Sequence, residues 1–562
     1  MKPESGPTWF RHIPAARWLA DYRVEWLASD AIAGATLAAY AIPVSLAYAG
    51  LAGLPPQAGI YGYLLGGLGY ALLGSSRQLA IGPTSAISLM IAGTVATMAD
   101  GDAQRYAQIA SLAAGMVALL CLIAWLLRLS MLVRLISDSI LVGFKAGAGL
   151  TIAMTQMPSL LGVTGGGHNF FERAALLAGQ LGEINYLVFA LGVVAILLLV
   201  LGERAFPARP VGLAVVALSI VVASAFALPD IGVPATGEVP AGLPSLELPG
   251  LRLHDVEGIV PLAAGCLLLA YIEGVSAART FAAKHGYSLD PRQEFLGIGA
   301  ANLAAALGRG YPVAGGLSQS AVNDKAGART PLALIFASCT LALCLLFLTG
   351  LLANLPKAVL AAVVLTAVYG LIDFPAMLRM WRISRMDFYA AAIALGAVLL
   401  LGILQGILLA ALASVLMLLA RASSPQVAFL GRIPGTMSYS DLARHPENEP
   451  LPHVIAFRPE ASLLYVNADS VLESVSARLE AEAARDIRQV VCDLSASPQI
   501  DLAGAHMLHQ LHLDLARRGI ALRILGAHGQ VRDLLRAEGI GEKVGGLDRF
   551  VTLHDLLGGV GR

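Results

Sequence analysis

Ile81-Gly-Pro-Thr-Ser85 and Gly315-Gly-Leu-Ser-Gln-Ser320 are two glycine-containing interruptions in long apolar stretches of the chain. Each precedes an apolar segment that is shorter than the roughly 20 residues of a membrane-spanning helix. A break in the backbone at membrane depth is tolerated only where protein or a water-filled cavity satisfies it. Paired breaks in two hydrophobic halves are typical of a transporter site where helix N-termini face an anion. These stretches therefore predict an anion transporter.

The composition places most of the chain in a lipid bilayer. Of 562 residues, 57% are hydrophobic and only 14% are charged, whereas soluble domains contain about 25% charged residues. The formal net charge is zero, so bulk charge gives no reason to expect a nucleic-acid partner, and any attraction for an anion must be local. The five cysteines form no CxxC or CxxH cluster, so we expect no metal, disulfide or cofactor.

Fourteen apolar segments follow one another before residue 421, and several are shorter than a full span. The first break follows segment 2 and the second follows segment 9, so the chain divides into seven plus seven segments. An odd number in each half places the halves in opposite topology. The expected fold is an α-helical polytopic membrane protein with a 7+7 inverted repeat. The segments lie near residues 31–50, 57–74, 83–98, 107–127, 133–156, 183–202, 210–228, 258–278, 293–308, 317–326, 331–353, 356–372, 387–402 and 403–420.

The composition also divides the chain into domains. We expect a cytoplasmic N-terminal segment at 1–29, a transport domain at 30–420, a polar linker at 421–452 and a small α/β domain at 453–562. In the last domain, short apolar runs predict strands and amphipathic stretches predict helices. The strands are expected at Val454–Phe457, Leu463–Val466, Val490–Leu494 and Leu522–Leu525, and the helices at 469–485, 502–518 and 529–538.

Lysine and arginine lie mainly in the loops on the N-terminal side of the membrane. That bias, with an even number of spans, predicts that both termini are cytoplasmic. Few lysines but many arginines, together with compact loops, suggest a bacterial source, and therefore the bacterial inner (plasma) membrane.

The half-helix openings contain the candidate substrate-binding residues. Unpaired N–H groups and the helix dipole attract an anion, and hydroxyl groups add donors without fixed charge. Alternatively, glycine and proline only kink packed helices while hydroxyls repair the backbone. Tyr40 and Tyr48 on the first segment either line the cavity or pack beside it. The candidates in the two breaks are Thr84, Ser85, Leu317, Ser318, Gln319 and Ser320.

Two charged residues lie inside apolar segments. Glu273 is in segment 8, where an ionised carboxylate costs about 2.5 kcal/mol or more. It is therefore the candidate for proton coupling, or else it pairs with a base on another helix. Lys145, in segment 5, either balances Glu273, supplies positive charge to an anion, or extends to the membrane surface. The C-terminal domain has no GxGxxG, Walker A or Ser/His/Asp pattern, so we do not expect an enzyme.

Several stretches carry the motifs of one known family: Asp30–Thr36, Ile42–Pro43, Ala47–Ala49, Leu51–Tyr61, Leu132–Phe144, Ala278–Ala282, Tyr287–Glu294, Tyr311–Pro312, Ser318–Asn323 and Gly327–Pro331. Together they resemble the SulP family of sulfate permeases and related anion transporters, and the C-terminal domain resembles a STAS domain. The resemblance implies an inverted repeat in which a core domain moves against a gate domain, usually in a homodimer. It also implies substrate between segments 3 and 10, contacted from segment 1, and it matches Glu273 to the carboxylate of proton-coupled members.

Three positions depart from the family pattern. Many sulfate-transporting members have arginine where this chain has Gln319, and glutamine where it has Val44. Both differences weaken an assignment to a divalent oxyanion, and Lys145 is the candidate replacement for the missing charge. The serine that related STAS domains phosphorylate corresponds to Leu502 or Ala503, so we expect no phosphorylation switch there.

The sequence therefore predicts a secondary transporter of sulfate or a related inorganic anion, coupled to protons through Glu273. Bicarbonate or C4-dicarboxylate symport, with protons or sodium, is the alternative in the same class. An uncoupled exchanger or channel and a membrane scaffold whose STAS domain recruits cytoplasmic proteins are the alternatives from other classes. The scaffold leaves both helix breaks unexplained.

Overall fold

The computed structural model describes residues 14–129, 137–167, 169–206, 211–237, 239–250, 252–549 and 551–558. It contains two compact units: a membrane unit that ends at Ser414 and a C-terminal unit that begins at Val415. Residues 1–13 of the predicted N-terminal segment and 133–136 of predicted segment 5 lie outside the described residues.

The membrane unit is mostly helical. In the described part of the chain, each of the fourteen predicted segments contains a helix, and seven helical stretches are long and apolar enough to cross a membrane. The helices are α1 (Pro14–Ala20), α2 (Leu27–Leu51), α3 (Pro56–Leu73), α4 (Ser85–Met98), α5 (Ala103–Leu126), α6 (Asp138–Leu161), α7 (Phe170–Gly179), α8 (Tyr186–Ala205), α9 (Val211–Ala225), α10 (Leu253–His285), α11 (Pro291–Leu307), α12 (Leu317–Lys325), α13 (Leu332–Phe347), α14 (Thr349–Leu352), α15 (Lys357–Tyr369), α16 (Phe374–Ile383), α17 (Arg385–Leu401) and α18 (Ile403–Ser423).

Besides α1 in the N-terminal segment, two helices, α7 and α16, are additional to the predicted segments. Both are ten residues long and contain charged residues among apolar ones. A search for continuous apolar runs misses such short amphipathic helices because their apolar residues occupy one face only.

The helices pack in two bundles within the membrane unit. In the first bundle, α11 packs between α3 and α5, α13 packs on α2 and α3, and α10 packs on α4 and α5. In the second bundle, α6 packs on α15 and α17, and α15 packs on α8. Glycine allows the close approach: a Cβ at Gly69 would collide with the carbonyl of Ala300 in the first bundle, and one at Gly143 with that of Ala391 in the second.

Two very short strands join the interrupted segments. Strand β1 (Ile81–Gly82) leads towards α4, strand β2 (Ala314–Gly315) leads towards α12, and the two pair antiparallel with Ile81 opposite Gly315. Helices α4 and α12 have 14 and 9 residues, which is too short for a span. The pairing brings the starts of both half-helices together. The sequence predicts the breaks but not the strands, because two residues show no periodicity.

The C-terminal unit is a five-stranded sheet with helices. Strand order is β4-β3-β5-β6-β7, in which β5, β6 and β7 are parallel and β3 is antiparallel to both neighbours. The helices predicted at 469–485, 502–518 and 529–538 are present with ends shifted by a few residues. The elements are β3 (Val427–Arg432), β4 (Tyr439–Asp441), β5 (Val454–Pro459), α19 (Ala468–Ala481), β6 (Gln489–Asp493), α20 (Leu502–Arg517), β7 (Ala521–Leu525), α21 (Gly529–Ala537) and α22 (Leu553–Gly558).

Two sequence expectations differ from the structure of this unit. Strands β3 and β4 lie inside 421–452, where the sequence predicts a linker. Pro and polar residues surround β3, but its pairing with β5 makes it part of the sheet. The strand predicted at Leu463–Val466 is wrong. There the side chain of Asn467 accepts from the N–H of Leu464, and that of Asp501 accepts from the N–H of Tyr465. Leu463 forms an isolated parallel bridge with Ile500, but at the next two residues these side-chain bonds replace those that a strand ladder needs.

Candidate functional site

A cavity of about 190 Å³ lies between the two bundles, where the half-helices begin. The first bundle contributes residues 83–86, residues 316–319 and parts of α2 and α10, and the second contributes Lys145 and the end of α15. Pockets for drug-sized ligands measure about 300–1,000 Å³. The cavity is therefore suited to a small ligand.

The N-termini of α4 and α12 both open into this cavity. Their N-cap residues, Thr84 and Gly316, have extended backbones, and within the described part of the chain neither helix receives a side-chain cap. The first N–H groups of a helix have no partner within the helix, and the helix dipole places partial positive charge there. Two such ends on one cavity form a favourable position for an anion.

Hydroxyl groups surround the two helix ends. The Oγ1 of Thr84 is buried and has no hydrogen-bond partner among the described residues. Ser318 lines the cavity with an exposed side chain, and Ser85 lines it with a mostly buried one. The amide nitrogen of Gln319 donates to the carbonyl of Ala314 at 3.3 Å, which fixes the side chain beside strand β2. The site thus offers several neutral donors.

Ser320 is not in the cavity wall, although the sequence groups it with the site. Its side chain is fully buried, and its Oγ accepts from the N–H of Ala80 at 2.9 Å and donates to the carbonyl of Gly316 at 2.7 Å. Each residue of an α-helix turns about 100° around the axis, so Ser320 points away from the side that Ser318 presents. The structure therefore assigns Ser320 a structural role.

The two intramembrane charges both line the cavity. Glu273 lies on α10 and Lys145 on α6, so they face the same space from different bundles. Among the described residues, neither forms an ion pair within 4 Å. Tyr48 lines the cavity as well. Apart from Ser320, the predicted site residues therefore all meet at one place.

Sequence reasoning missed Ser276, which also lines the cavity. It lies three residues after Glu273 on α10, and residues three apart share one face of a helix. That spacing is the signal that could have identified it. A second cavity of about 410 Å³ adjoins the first through Tyr40, Val44 and Ser318, and it extends to Glu203 and Lys325.

No group of three His, Cys, Asp or Glu side chains that could hold a metal ion occurs among the described residues. The polar groups around the main cavity are hydroxyls, an amide, one carboxylate and one ammonium.

Comparison with known proteins identifies the family. A profile described as the Sulfate permease family matches residues 27–394, and a STAS domain profile matches residues 445–556. The chain belongs to the sulfate permease family. The two matches confirm the resemblance to SulP proteins with a C-terminal STAS domain. This family consists of multi-pass membrane transporters.

Relatives in this family are similar to the chain over nearly its full length. The chain is 34% identical over 540 residues to the probable sulfate transporter Rv1739c of Mycobacterium tuberculosis, which covers 96% of each chain. It is 30% identical over 567 residues to the chloroplastic sulfate transporter 4.1 of Arabidopsis thaliana, which covers 97% of this chain and 82% of the relative. The helical fold of the chain is also similar to the folds of solved structures.

Two solved structures have folds similar to that of the chain. The murine anion transporter Slc26a9 in its inward-facing state has a TM-score of 0.88 at 20% identity, covering 100% of this chain and 97% of that one. The transmembrane domain of the cyanobacterial bicarbonate transporter BicA has a TM-score of 0.61 at 22% identity, covering 70% of this chain and 98% of that one. At these identities the likeness concerns the fold alone.

Proposed function

We propose that the protein is a secondary active transporter that takes up sulfate or a related inorganic anion together with protons. The observation that carries this proposal is the meeting of two uncapped half-helix N-termini at one small cavity. Membership of the sulfate permease family and relatives named sulfate transporters support sulfate as the first substrate to test.

In this proposal the anion lies between the starts of α4 and α12. The N–H groups of both helix ends, the hydroxyls of Thr84, Ser85 and Ser318, and the amide of Gln319 hold it, while Tyr48 closes one side. These donors are mostly neutral, so the anion is bound without a strong fixed charge and can leave again. A transporter needs that reversibility, because a tightly held anion is not released.

Glu273 is the proposed proton carrier. Its side chain lines the same cavity as the half-helix ends, and an ionised carboxylate repels a nearby anion while a protonated one does not. Protonation of Glu273 therefore favours anion binding, which couples the two uptakes. A sodium ion in place of the proton is the alternative coupling.

The movement in this proposal is a displacement of the first bundle, with the half-helices, against the second. The cavity lies between the bundles, so such a displacement opens it to one side of the membrane and then to the other. A homodimer in the bacterial inner membrane with both termini in the cytoplasm completes the proposal. The STAS domain is available there for contacts with cytoplasmic proteins.

Bicarbonate or C4-dicarboxylate symport is the second candidate, and of these two anions Gln319 favours bicarbonate. A glutamine adds no positive charge to the second half-helix, which suits bicarbonate better than a divalent oxyanion. Sulfate and bicarbonate can be separated only by measuring transport.

The test is uptake of radiolabelled sulfate into proteoliposomes with and without proton and sodium gradients, in competition with bicarbonate, chloride, fumarate and succinate. Ser318→Leu should abolish uptake, because leucine removes a hydrogen-bond donor and fills the cavity. The unfolding temperature should not fall, because the side chain of Ser318 is exposed. Ser288→Leu is the matched control, since Ser288 is exposed and lines a different cavity. Normal affinity in Ser318→Leu would contradict the site, and an absence of uptake for every anion would contradict the function.

A further inference from the structure

Lys145 and Glu273 approach one cavity from two different bundles. Lys145 is on α6, which packs on α15 and α17, whereas Glu273 is on α10, which packs on α4 and α5. Both are half-buried. Lys145 therefore does not move as one body with Glu273 or with the half-helices if the bundles shift against each other.

The charge balance of the cavity depends on these two residues. Among the described residues that line it, Lys145 and Glu273 carry the formal charges, and Tyr40 and Tyr48 are the other titratable groups. The adjoining cavity adds Glu203 and Lys325. With Glu273 ionised the wall of the main cavity is neutral overall, and with Glu273 protonated it carries one positive charge.

An anion in this cavity has one cationic side chain within its walls. Gln319 lies at the start of α12 but is uncharged, and its amide nitrogen donates to Ala314. The Lys145 ammonium is a strongly hydrated point charge with three donors, and it can be directed at either a carboxylate or a bound anion. The carboxylate of Glu273 and the anion are therefore competitors for the same ammonium.

We propose that Lys145 is the cationic contact of the transported anion and that Glu273 competes with the anion for it. A proton that binds to Glu273 releases Lys145 to the anion, so one lysine links proton binding to anion binding. This inference rests on the proposed function and assigns the coupling to a pair of residues rather than to Glu273 alone. It also supplies the positive charge that Gln319 lacks.

Equilibrium binding of radiolabelled sulfate to the full-length protein in nanodiscs tests the proposal at pH 5.5 and pH 8. Wild type should bind at least roughly tenfold more tightly at the lower pH, because close opposite charges interact strongly away from bulk water. Glu273→Gln should bind tightly at both values, and Lys145→Met weakly at both. The double variant should match Lys145→Met, since the carboxylate acts only through the lysine.

Two further variants keep the outcome clear. Lys145→Arg retains the charge and should keep the pH dependence, which separates a loss of charge from a loss of folding. Lys357→Met is the matched control because Lys357 is an exposed lysine in the same bundle, and it should behave as wild type.

Each result then has one reading. If Lys145→Met keeps the affinity and pH dependence of wild type, Lys145 is not an anion contact and the inference is overturned, while the loss of binding in Ser318→Leu would still support the proposed function. If Glu273→Gln binds sulfate as weakly at both pH values as wild type does at pH 8, the competition is overturned. If wild type binds no sulfate at either pH, the inference is overturned together with sulfate as the substrate.

Discussion

The Oγ of Ser320 accepts a hydrogen bond of 2.9 Å from the backbone N–H of Ala80, which lies 240 residues earlier in the chain. The carbonyl of Ala80 in turn accepts from the N–H of Gly316 at 3.3 Å. The residue before β1 is therefore bound on both of its backbone groups by the start of α12. These two hydrogen bonds hold the segment before α4 against the start of α12, next to the β1–β2 pair.

Replacement of Ser320 by alanine should destabilise the protein without changing substrate affinity. The loss leaves the buried N–H of Ala80 without its partner, which costs about 1–3 kcal/mol. Thermal unfolding in detergent measures the loss, and sulfate binding measures the affinity. Ser318→Ala is the matched comparison and should do the reverse, weakening binding with an unchanged unfolding temperature. If Ser320→Ala weakened binding at full stability, its side chain would belong to the site after all.

Gly82→Ala should disrupt the β1–β2 junction. A Cβ at Gly82 would collide with the ring of Tyr63, which is almost fully buried. Overpacking of this kind costs about 1–3 kcal/mol, so the unfolding temperature and uptake should both fall. Gly93→Ala, on the half-helix α4 that follows the junction, is the control. A Cβ added at Gly93 would meet no atom within 4 Å. Equal effects of the two substitutions would mean that the junction is not tightly packed.

Thr84→Val should lower anion affinity while leaving stability nearly unchanged. Valine keeps the shape of threonine, and the Oγ1 of Thr84 makes no hydrogen bond with any described residue, so folding loses no partner. The bound anion, however, loses a buried donor, for which the expected cost is about 0.5–1.5 kcal/mol or more. Isothermal binding and thermal unfolding on the same preparation separate the two effects. A lower unfolding temperature with unchanged affinity would show that the hydroxyl serves the fold.

Asp30→Ala should be strongly destabilising, because Asp30 joins α2 to the start of α13. Its fully buried carboxylate accepts from the N–H of Arg329 at 2.7 Å, from the N–H of Thr330 at 3.1 Å and from the Oγ1 of Thr330 at 2.6 Å. Removal leaves these donors unsatisfied, at about 1–3 kcal/mol each for a buried group.

The control for Asp30 is Asp373→Ala. Asp373 also accepts from a backbone N–H at a helix start, at 2.9 Å from Ala376, but it is exposed. Loss of such a cap costs about 1 kcal/mol, so thermal unfolding should shift less than for Asp30→Ala. Similar shifts in both variants would show that burial adds nothing to the role of Asp30.

The sequence predicts the helical membrane fold well because its main signal is local. Continuous apolar runs identify the spans, and Gly-Pro at residues 82–83 and Gly-Gly at 315–316 identify the breaks. Elements with weaker local signals are lost: β1 and β2 are two residues long, and α7 and α16 mix charged with apolar residues. Leu463–Val466 has the composition of a strand, but the side chains of Asn467 and Asp501 accept hydrogen bonds from the two N–H groups that follow Leu463.

The candidate site is predicted in part for the same reason. Thr84, Ser85 and Ser318 are recognisable because they lie at the start of short helices, and Glu273 and Lys145 because charge is rare in apolar segments. That these residues share one cavity depends on contacts between distant helices. The sequence gives no direct sign of those contacts.

By itself, the sequence determines that the chain is a membrane protein with two interrupted segments, a carboxylate within an apolar segment and a C-terminal α/β domain. These features follow from hydropathy and backbone chemistry, which act over a few residues at a time. Only the tertiary structure decides that β1 pairs with β2, and that Ser320 binds Ala80 while Ser318 faces the cavity. It also decides that Lys145 and Glu273 line one cavity from different bundles. Helix packing fixes these relationships, because the direction in which a side chain points depends on how its helix is rotated against neighbours that are distant in sequence.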